Sequence, residues 1–343
     1  MSRKPRIAVL NGTCLDVVEE HRAAIEARGV ELWADQAYRK LDARAAIEIL
    51  RQVDGVILPA AVRTFPQGEH MAANGNLLVC AIAASGYEWL DVEAASRSGV
   101  VVTNAVPPEG TEVVADLAFG LMIAVARQIP FHHQSVSAGR NDRGMGFSLW
   151  KKTLGIVGLG KIGKAMARRA RGFDMRVLAA TPNPDKDFSR AHDVEIVSLE
   201  ELFRRSDFVS LHVRLTEQTR NMIGGEQLAL MKPTAFLINT ARRELVDEGA
   251  LTSALIGRKI AGAGLDDPPI NRGTPLLNRP NVVFTPHLGN RAVEGVHAVF
   301  LCAMENALAV LHGQRPPDLV NPEVYNRGTR KSAWAQDEVL SYG

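Results

Sequence analysis

The chain has 343 residues, 46% of them hydrophobic, and its 40 basic and 38 acidic side chains leave a net charge of +2. This length predicts two domains, and the near-neutral charge argues against a nucleic-acid-binding protein. The sequence has no run of about 18 apolar residues and no signal-peptide pattern, so we expect a cytoplasmic protein with no membrane partner. Cys14, Cys80 and Cys302 have neither metal-ligand nor disulfide spacing, so we expect reduced thiols and no metal site.

The first hundred residues alternate between strand and helix patterns. Helices are predicted over 17–28 and 43–52. Strands are predicted over residues 6–10, 30–33, 54–58, 77–82 and 99–103. Such alternation predicts a parallel sheet covered on both faces, here in a flavodoxin-like lobe.

A long apolar helix is predicted over 109–127, after the interruption at Pro107-Pro108. It is too apolar for a solvent-facing helix, so it either bridges two lobes or packs on a second subunit. We expect a polar connection over 130–146.

A glycine-rich loop then follows an apolar strand at 154–157. Gly158, Gly160 and Gly163 have the spacing G-x-G-x-x-G, with Lys161 and Ile162 between them, and precede a helix at 164–172 and a strand at 175–180. The first glycine permits a tight turn, the second lets a pyrophosphate approach the backbone, and the third lets the helix pack near the strand. This context predicts a dinucleotide site at the helix N-terminus.

Thr181 lies where the dinucleotide fingerprint expects an acid that binds the ribose 2′-hydroxyl. A neutral residue does not repel a 2′-phosphate. Lys186 and Arg190 are either partners of such a phosphate or solvated loop charges. The sequence therefore leaves NAD and NADP open.

Three polar residues follow predicted strands in the second half of the chain. Arg242 follows strand 235–239, Asp266 follows strand 260–265 and His287 follows strand 282–285. An arginine that binds a carboxylate and a histidine that transfers a proton suit hydride transfer to a keto acid. The other elements predicted in this half are a helix at 199–206 capped by Ser198, a strand at 207–212, helices at 226–231, 248–257 and 292–312, and a mobile tail at 326–343.

Motifs along almost the whole chain resemble those of the D-isomer-specific 2-hydroxyacid dehydrogenases. The matching segments are 85–91, 101–104, 112–116, 153–163, 206–212, 231–242, 246–247, 263–266 and 285–289. The resemblance implies an NAD(P)-dependent, D-specific oxidoreductase acting on a small 2-hydroxy or 2-keto acid. It also implies a two-lobed α/β homodimer with a discontinuous substrate domain (1–104 and 293–325) and a Rossmann-type domain (105–292).

The resemblance also implies roles for individual residues. Arg242 binds the substrate, His287 is the acid/base, and backbone N–H groups near Ser85 and Gly86 hold the substrate carboxylate. The remaining residues carried over to the cofactor site are His212, Val213, Asn239, Thr240, Ala241 and Asp266.

Three positions depart from the family pattern. The Glu that pairs with the catalytic His is missing, and Asn271 falls at its position if no gap intervenes. The nearby acids are Asp266 and Asp267; because the family directs the residue at position 266 at the cofactor, we expect Asp267 to substitute, unless His287 works without a carboxylate partner. Arg243 replaces a Gly. Arg214 replaces a Pro and is a further candidate for binding a 2′-phosphate.

Two other functions remain open from the sequence. One is a dinucleotide-responsive regulatory protein on the same fold, which the missing Glu favours and the retained Arg242 and His287 disfavour. The other is a formate- or phosphite-type dehydrogenase.

Overall fold

The structure, a computed structural model, describes residues 3–59, 76–267, 273–277 and 279–325. It consists of two compact units. The first comprises Met1–Gly110 and Val293–Gly343, and the second comprises Thr111–Ala292. The predicted tail at 326–343 lies outside the described residues.

The first unit is built on a parallel sheet whose described strands have the order β2-β1-β3-β4-β5. This is the flavodoxin-like order, as predicted from the alternation of elements. The strands are β1 (Arg6–Val9), β2 (Glu31–Trp33), β3 (Gly55–Leu58), β4 (Val79–Ile82) and β5 (Val101–Thr103); the helices are α1 (Val18–Glu26), α2 (Ala43–Leu50), α3 (Val92–Arg97) and, from the end of the chain, α11 (Val293–Leu311).

Helix α11 forms part of the core of this unit. Its buried residues, among them Phe300 and Leu308, pack with Ile7 and Val79 of the sheet. Among the described residues it is the one single helix that is long and apolar enough to cross a membrane, but half of that stretch is buried in the protein. The burial accounts for its apolar composition.

The second unit is built on a parallel sheet whose described strands have the order β12-β11-β10-β9-β6-β7-β8. Strands β6 to β11 reproduce the Rossmann order, whose topological switch point lies between β6 and β9. The strands are β6 (Thr153–Val157), β7 (Arg176–Ala180), β8 (Val194–Ile196), β9 (Phe208–Leu211), β10 (Phe236–Asn239), β11 (Gly262–Leu265) and β12 (Val282–Phe284). The helices are α4 (Pro108–Ala126), α5 (Ile129–Ser137), α6 (Lys161–Ala170), α7 (Lys186–Ala191), α8 (Leu199–Arg205), α9 (Gly225–Leu230) and α10 (Glu248–Ile256).

Helix α4 packs on the sheet of the second unit. Its residues Leu121 and Met122 are buried with Ile156 and Ile238 of the strands. A Cβ on Gly264 of β11 would lie 3.0 Å from the Leu121 Cβ, so the glycine permits this close approach. Burial within its own unit therefore explains most of the apolar character of this helix.

Two predictions about connecting segments are wrong. Residues 130–146 are not only a polar connection, because α5 occupies Ile129–Ser137 with a proline in its first turn, where no backbone N–H is needed. Lys186 and Arg190 lie on helix α7 rather than in a loop, because the Asp185 side chain caps this helix through the Phe188 N–H.

Candidate active site

The glycine loop after β6 has the close contacts that its spacing predicts. Gly158 has φ +94°, and a Cβ there would lie 2.7 Å from the His212 carbonyl oxygen. A Cβ on Gly163 would lie 2.2 Å from the Gly158 carbonyl oxygen, so α6 packs directly on the turn. Apart from its chain neighbours, no atom of the described residues lies within 4 Å of the Cβ position of Gly160, which leaves room beside the start of α6.

This loop fits a dinucleotide pyrophosphate. Gly160 is the N-cap of α6 and has no side chain to occupy the helix N-terminus. A helix N-terminus favours anions through its backbone N–H groups and dipole. The loop also lies at the carboxyl end of β6, beside β9, which is the switch point of the sheet.

His212 follows β9 on the other side of this switch point. One of its ring nitrogens, Nε2, lies 2.8 Å from the hydroxyl oxygen of Ser210. Desolvation lowers the pKa of His212 to about 4, so the imidazole is neutral near neutral pH. Ser210 had not been predicted, although residues two apart in a strand share a face and the sequence shows the pair.

Arg242 lies in a loop that Asn239 stabilises. The buried Asn239 side chain donates from Nδ2 to the Arg242 carbonyl at 2.7 Å and accepts at Oδ1 from the Ala241 N–H at 3.0 Å. The Arg242 guanidinium donates to the Ala241 carbonyl at 2.9 Å. The hydroxyl oxygen of Thr240, in the same loop, is buried without a hydrogen-bond partner among the described residues. An unsatisfied buried hydroxyl at this edge is consistent with a polar ligand.

Asp266 and His287 lie at the carboxyl ends of the next two strands. The Asp266 carboxylate is 2% exposed and accepts hydrogen bonds from the Thr285 hydroxyl at 2.6 Å and the Leu288 N–H at 2.7 Å. His287 is exposed and has φ +57°, in the left-handed region. Because β10, β11 and β12 are adjacent, Arg242, Asp266 and His287 share one edge of one sheet.

Among the described residues, Asp267 and His287 form no hydrogen bond or ion pair with each other. Asp267 instead lines a cavity of about 190 Å³, whose other described lining residues are Asn221, Asn239, Arg243, Glu244, Val246, Glu248, Leu251, Leu265, Leu276 and Phe284. Arg243, the departure beside Arg242, forms an ion pair with Glu244 at 3.3 Å. Asn271 lies outside the described residues.

Asp185 is an acidic residue that follows Thr181 closely in the sequence and already forms hydrogen bonds within the protein. Asp185 binds the Lys164 ammonium at 2.6 Å, and this hydrogen bond, with that of the Phe188 N–H, lowers the pKa of Asp185. Lys186, Arg190 and Arg214 are exposed.

The substrate residues predicted in the first unit follow β4. Ser85 is exposed and Gly86 is buried. The Asn104 side chain donates to the Ser85 carbonyl at 3.0 Å, which restrains this turn. Among the described residues of both units, no group of three or more His, Cys, Asp or Glu side chains could hold a metal ion.

Comparisons with known proteins give one consistent result. Residues 119–289 match the model of the D-isomer specific 2-hydroxyacid dehydrogenase NAD binding domain. A glyoxylate reductase of Korarchaeum cryptofilum is 40% identical over 94% of this chain and 97% of its own length. The crystal structure of a glyoxylate reductase from Paecilomyes thermophila superposes with a TM-score of 0.79 and 28% identity, covering 94% of this chain and 99% of that one. The apo-structure of D-lactate dehydrogenase from Escherichia coli also has a TM-score of 0.79, with 26% identity over 92% of this chain and 99% of that one.

Proposed function

Because this chain belongs to the D-isomer-specific 2-hydroxyacid dehydrogenase family and therefore transfers a hydride between NAD(P)(H) and a small 2-hydroxy or 2-keto acid, we propose that it acts as a glyoxylate reductase in which Arg242 and His287 carry the reaction. One observation supports the assignment of these residues above all. Arg242, Asp266 and His287 end three adjacent strands of the sheet that also carries the glycine loop. Ligands of doubly wound sheets bind at this edge.

Arg242 binds the 2-keto acid through its planar guanidinium, which matches a carboxylate with two parallel hydrogen bonds and polarises the neighbouring carbonyl. A nicotinamide cofactor, when bound, would supply the hydride that the carbonyl carbon accepts. His287 donates a proton from its imidazolium to the carbonyl oxygen, which becomes the hydroxyl of the product, and takes it back in the oxidative direction. Proton transfer by a positioned group contributes about 10²- to 10⁴-fold to the rate.

The cofactor is held by the loop that contains Gly158, Gly160, Lys161, Ile162 and Gly163. The remaining members of the proposed cofactor site are Thr181, His212, Val213, Asn239, Thr240, Ala241 and Asp266. The N-terminus of α6 would hold the pyrophosphate, and Thr240 and Asp266 would hold the nicotinamide half. The Thr240 hydroxyl, which is buried without a hydrogen-bond partner among the described residues, supports this assignment. Ser85 and Gly86 of the first unit remain proposed substrate-binding residues through their backbone N–H groups.

Asp267 remains our proposed substitute for the missing Glu. A carboxylate near the imidazolium would raise the pKa of His287. If Asp267 acts in this way, Asp267→Asn should move the pH profile of kcat/KM to lower pH. An unmoved profile would show that His287 works without Asp267.

We also propose a cytoplasmic homodimer that associates through the segment from α5 to β6. Large apolar side chains are exposed there: Ile129 at 50%, Val136 at 67%, Met145 at 94%, Phe147 at 39% and Trp150 at 58%. Contiguous exposed apolar surface favours burial against a partner. A second copy of the chain is the partner that we propose, because closed two-fold dimers are the commonest oligomers.

The decisive experiment is reduction of glyoxylate, pyruvate and hydroxypyruvate by the purified protein with NADH and with NADPH. We expect turnover with glyoxylate, and we expect His287→Ala to reduce kcat by about 100-fold or more while cofactor affinity is kept. Full turnover by His287→Ala would refute the assignment. Tight cofactor binding without turnover of any keto acid would favour a regulatory protein, and reduction of NAD(P) by formate or phosphite would favour the other dehydrogenase class.

A further inference from the structure

We infer that Asp266 is a positioning residue for His287, whose turn it holds through two hydrogen bonds; this inference rests on the proposed role of His287 as the acid/base. The two donors lie on either side of the histidine. Thr285 precedes it by two residues, and Leu288 follows it directly. The same oxygen, Oδ1 of Asp266, accepts both bonds, at 2.6 and 2.7 Å.

The turn that carries His287 needs such a restraint. His287 has φ +57°. Residues other than glycine rarely adopt this conformation, which persists only where surrounding contacts fix it. The His287 N–H donates to the Thr285 carbonyl at 3.0 Å, which closes a tight turn over Pro286. The imidazole itself is exposed and has no hydrogen bond to another described side chain, so packing does not orient it.

The sheet places Asp266 beside this turn. Leu265, the last residue of β11, pairs with Phe284, the last residue of β12. The Thr285 N–H donates to the Leu265 carbonyl at 2.9 Å and extends this pairing by one residue. Asp266 therefore lies beside the start of the turn, and its buried carboxylate is placed to accept hydrogen bonds from the turn.

The burial of Asp266 makes the restraint strong. Its carboxylate is 2% exposed, and hydrogen bonds to a charged acceptor are roughly twice as strong as neutral ones. A Cβ on Gly289 would lie 3.3 Å from Asp266 Oδ2, so the chain also leaves little room on the other side of the carboxylate. Asp267, which lines the cavity beside Arg243, has no hydrogen bond to this turn among the described residues.

The test removes one donor of the pair without touching Asp266 or His287. Thr285→Val keeps the volume of the side chain and loses the hydroxyl. We expect kcat for glyoxylate reduction to fall about tenfold, the size expected for one hydrogen bond to a charged acceptor. The dissociation constant of NAD(P)H should stay within about twofold, since the turn and not the cofactor is affected. Thr285→Ser should restore kcat because it restores the donor.

The control variant and the double variant separate a loss of His287 positioning from a general disturbance of the enzyme's structure. Thr103→Val makes the same substitution at a buried hydroxyl of the first unit that has no partner among the described residues, and should leave kcat unchanged. In a His287→Ala background, Thr285→Val should cause no further loss, because its effect passes through the imidazole.

Three results would overturn the inference. They are an unchanged kcat in Thr285→Val, an equal loss in the His287→Ala background, and a loss expressed as weaker NAD(P)H binding. If Thr285→Val does not fold, Asp266→Asn, which retains an acceptor oxygen, replaces it in the test. Asp266→Asn must then lower kcat when His287 is present and cause no further loss in the His287→Ala background. Failure of the proposed function itself is recognised separately, by full turnover in His287→Ala alone.

Discussion

His212 makes the stability of the second unit depend on pH in a defined window. Its pKa is lowered from 6.5 to about 4 in the folded protein by desolvation, whereas the unfolded chain keeps the ordinary value. Between these two values the unfolded state binds a proton that the folded state does not. The contribution of His212 to stability should therefore be present well above pH 6.5 and be lost as the pH falls towards 4.

The size of the effect follows from the same two values. A difference of about 2.5 pH units corresponds to about 3 kcal/mol over the whole window, since one unit is worth about 1.4 kcal/mol. About 1 kcal/mol of this should already be lost at pH 5.5. That loss is a substantial share of the stability of an ordinary domain, which is about 5–15 kcal/mol.

The assay compares urea unfolding of the cofactor-free wild type with His212→Gln between pH 7.5 and 5. An amide at position 212 can still face the Ser210 hydroxyl but does not titrate. The wild type should lose about 1 kcal/mol more than the variant by pH 5.5. His133→Gln is the control. It removes an exposed imidazole of α5 and so measures how replacing a solvent-exposed histidine changes stability. An NMR titration of the His212 Cε1 proton should show no protonation above pH 5.

Parallel stability curves for the wild type and His212→Gln would refute this reasoning. So would an imidazole that titrates near pH 6.5 in the folded protein. Either result would mean that water reaches the ring and that desolvation does not control its charge.

Four further predictions concern the loop, the anion site, the cofactor and the assembly. Gly163→Ala should cost roughly 1–3 kcal/mol of stability and weaken NAD(P)H binding, because its Cβ would lie 2.2 Å from a carbonyl oxygen; Gly172→Ala, which meets no atom within 4 Å, is the matched control in thermal unfolding. Arg242→Lys should lower kcat/KM for keto acids about 100-fold by losing the planar fork, and unchanged kinetics would remove it from the site. Thr181→Asp should shift preference towards NAD by repelling a 2′-phosphate, an expectation that fails if the wild type already rejects NADP by several orders of magnitude. Met145→Glu should convert a dimer into a monomer of 37.3 kDa in sedimentation, and a monomeric wild type would contradict the proposed dimer.

The sequence by itself determined the features that depend on residues close along the chain. The helix after Ser198 was predicted from its cap, and the structure has both bonds of the capping box, with Glu201 as partner. The glycine spacing at 158–163 predicted a tight turn, an open position and a close helix contact in that order, and the structure has all three. Such features involve atoms within one or two turns of each other, so a short pattern is enough to specify them.

The local sequence pattern did not predict two helices, α5 and α7, whose formation depends on a bend and on a helix cap. The segment 130–146 has the composition of a loop, yet α5 forms there after Gln128 adopts φ +52° and redirects the chain. Helix α7 was missed because Asp185 reads as a loop acid, although it caps the helix and binds Lys164.

Only the tertiary structure placed an acid beside the turn that carries His287. The family resemblance directed Asp266 at the cofactor, so the sequence analysis proposed Asp267 for contact with the imidazole. The partners of Asp266 are 19 and 22 residues away, at Thr285 and Leu288. Their contact exists because Leu265 pairs with Phe284 across two parallel strands, and strand register is fixed by the packing of the whole sheet rather than by neighbouring residues.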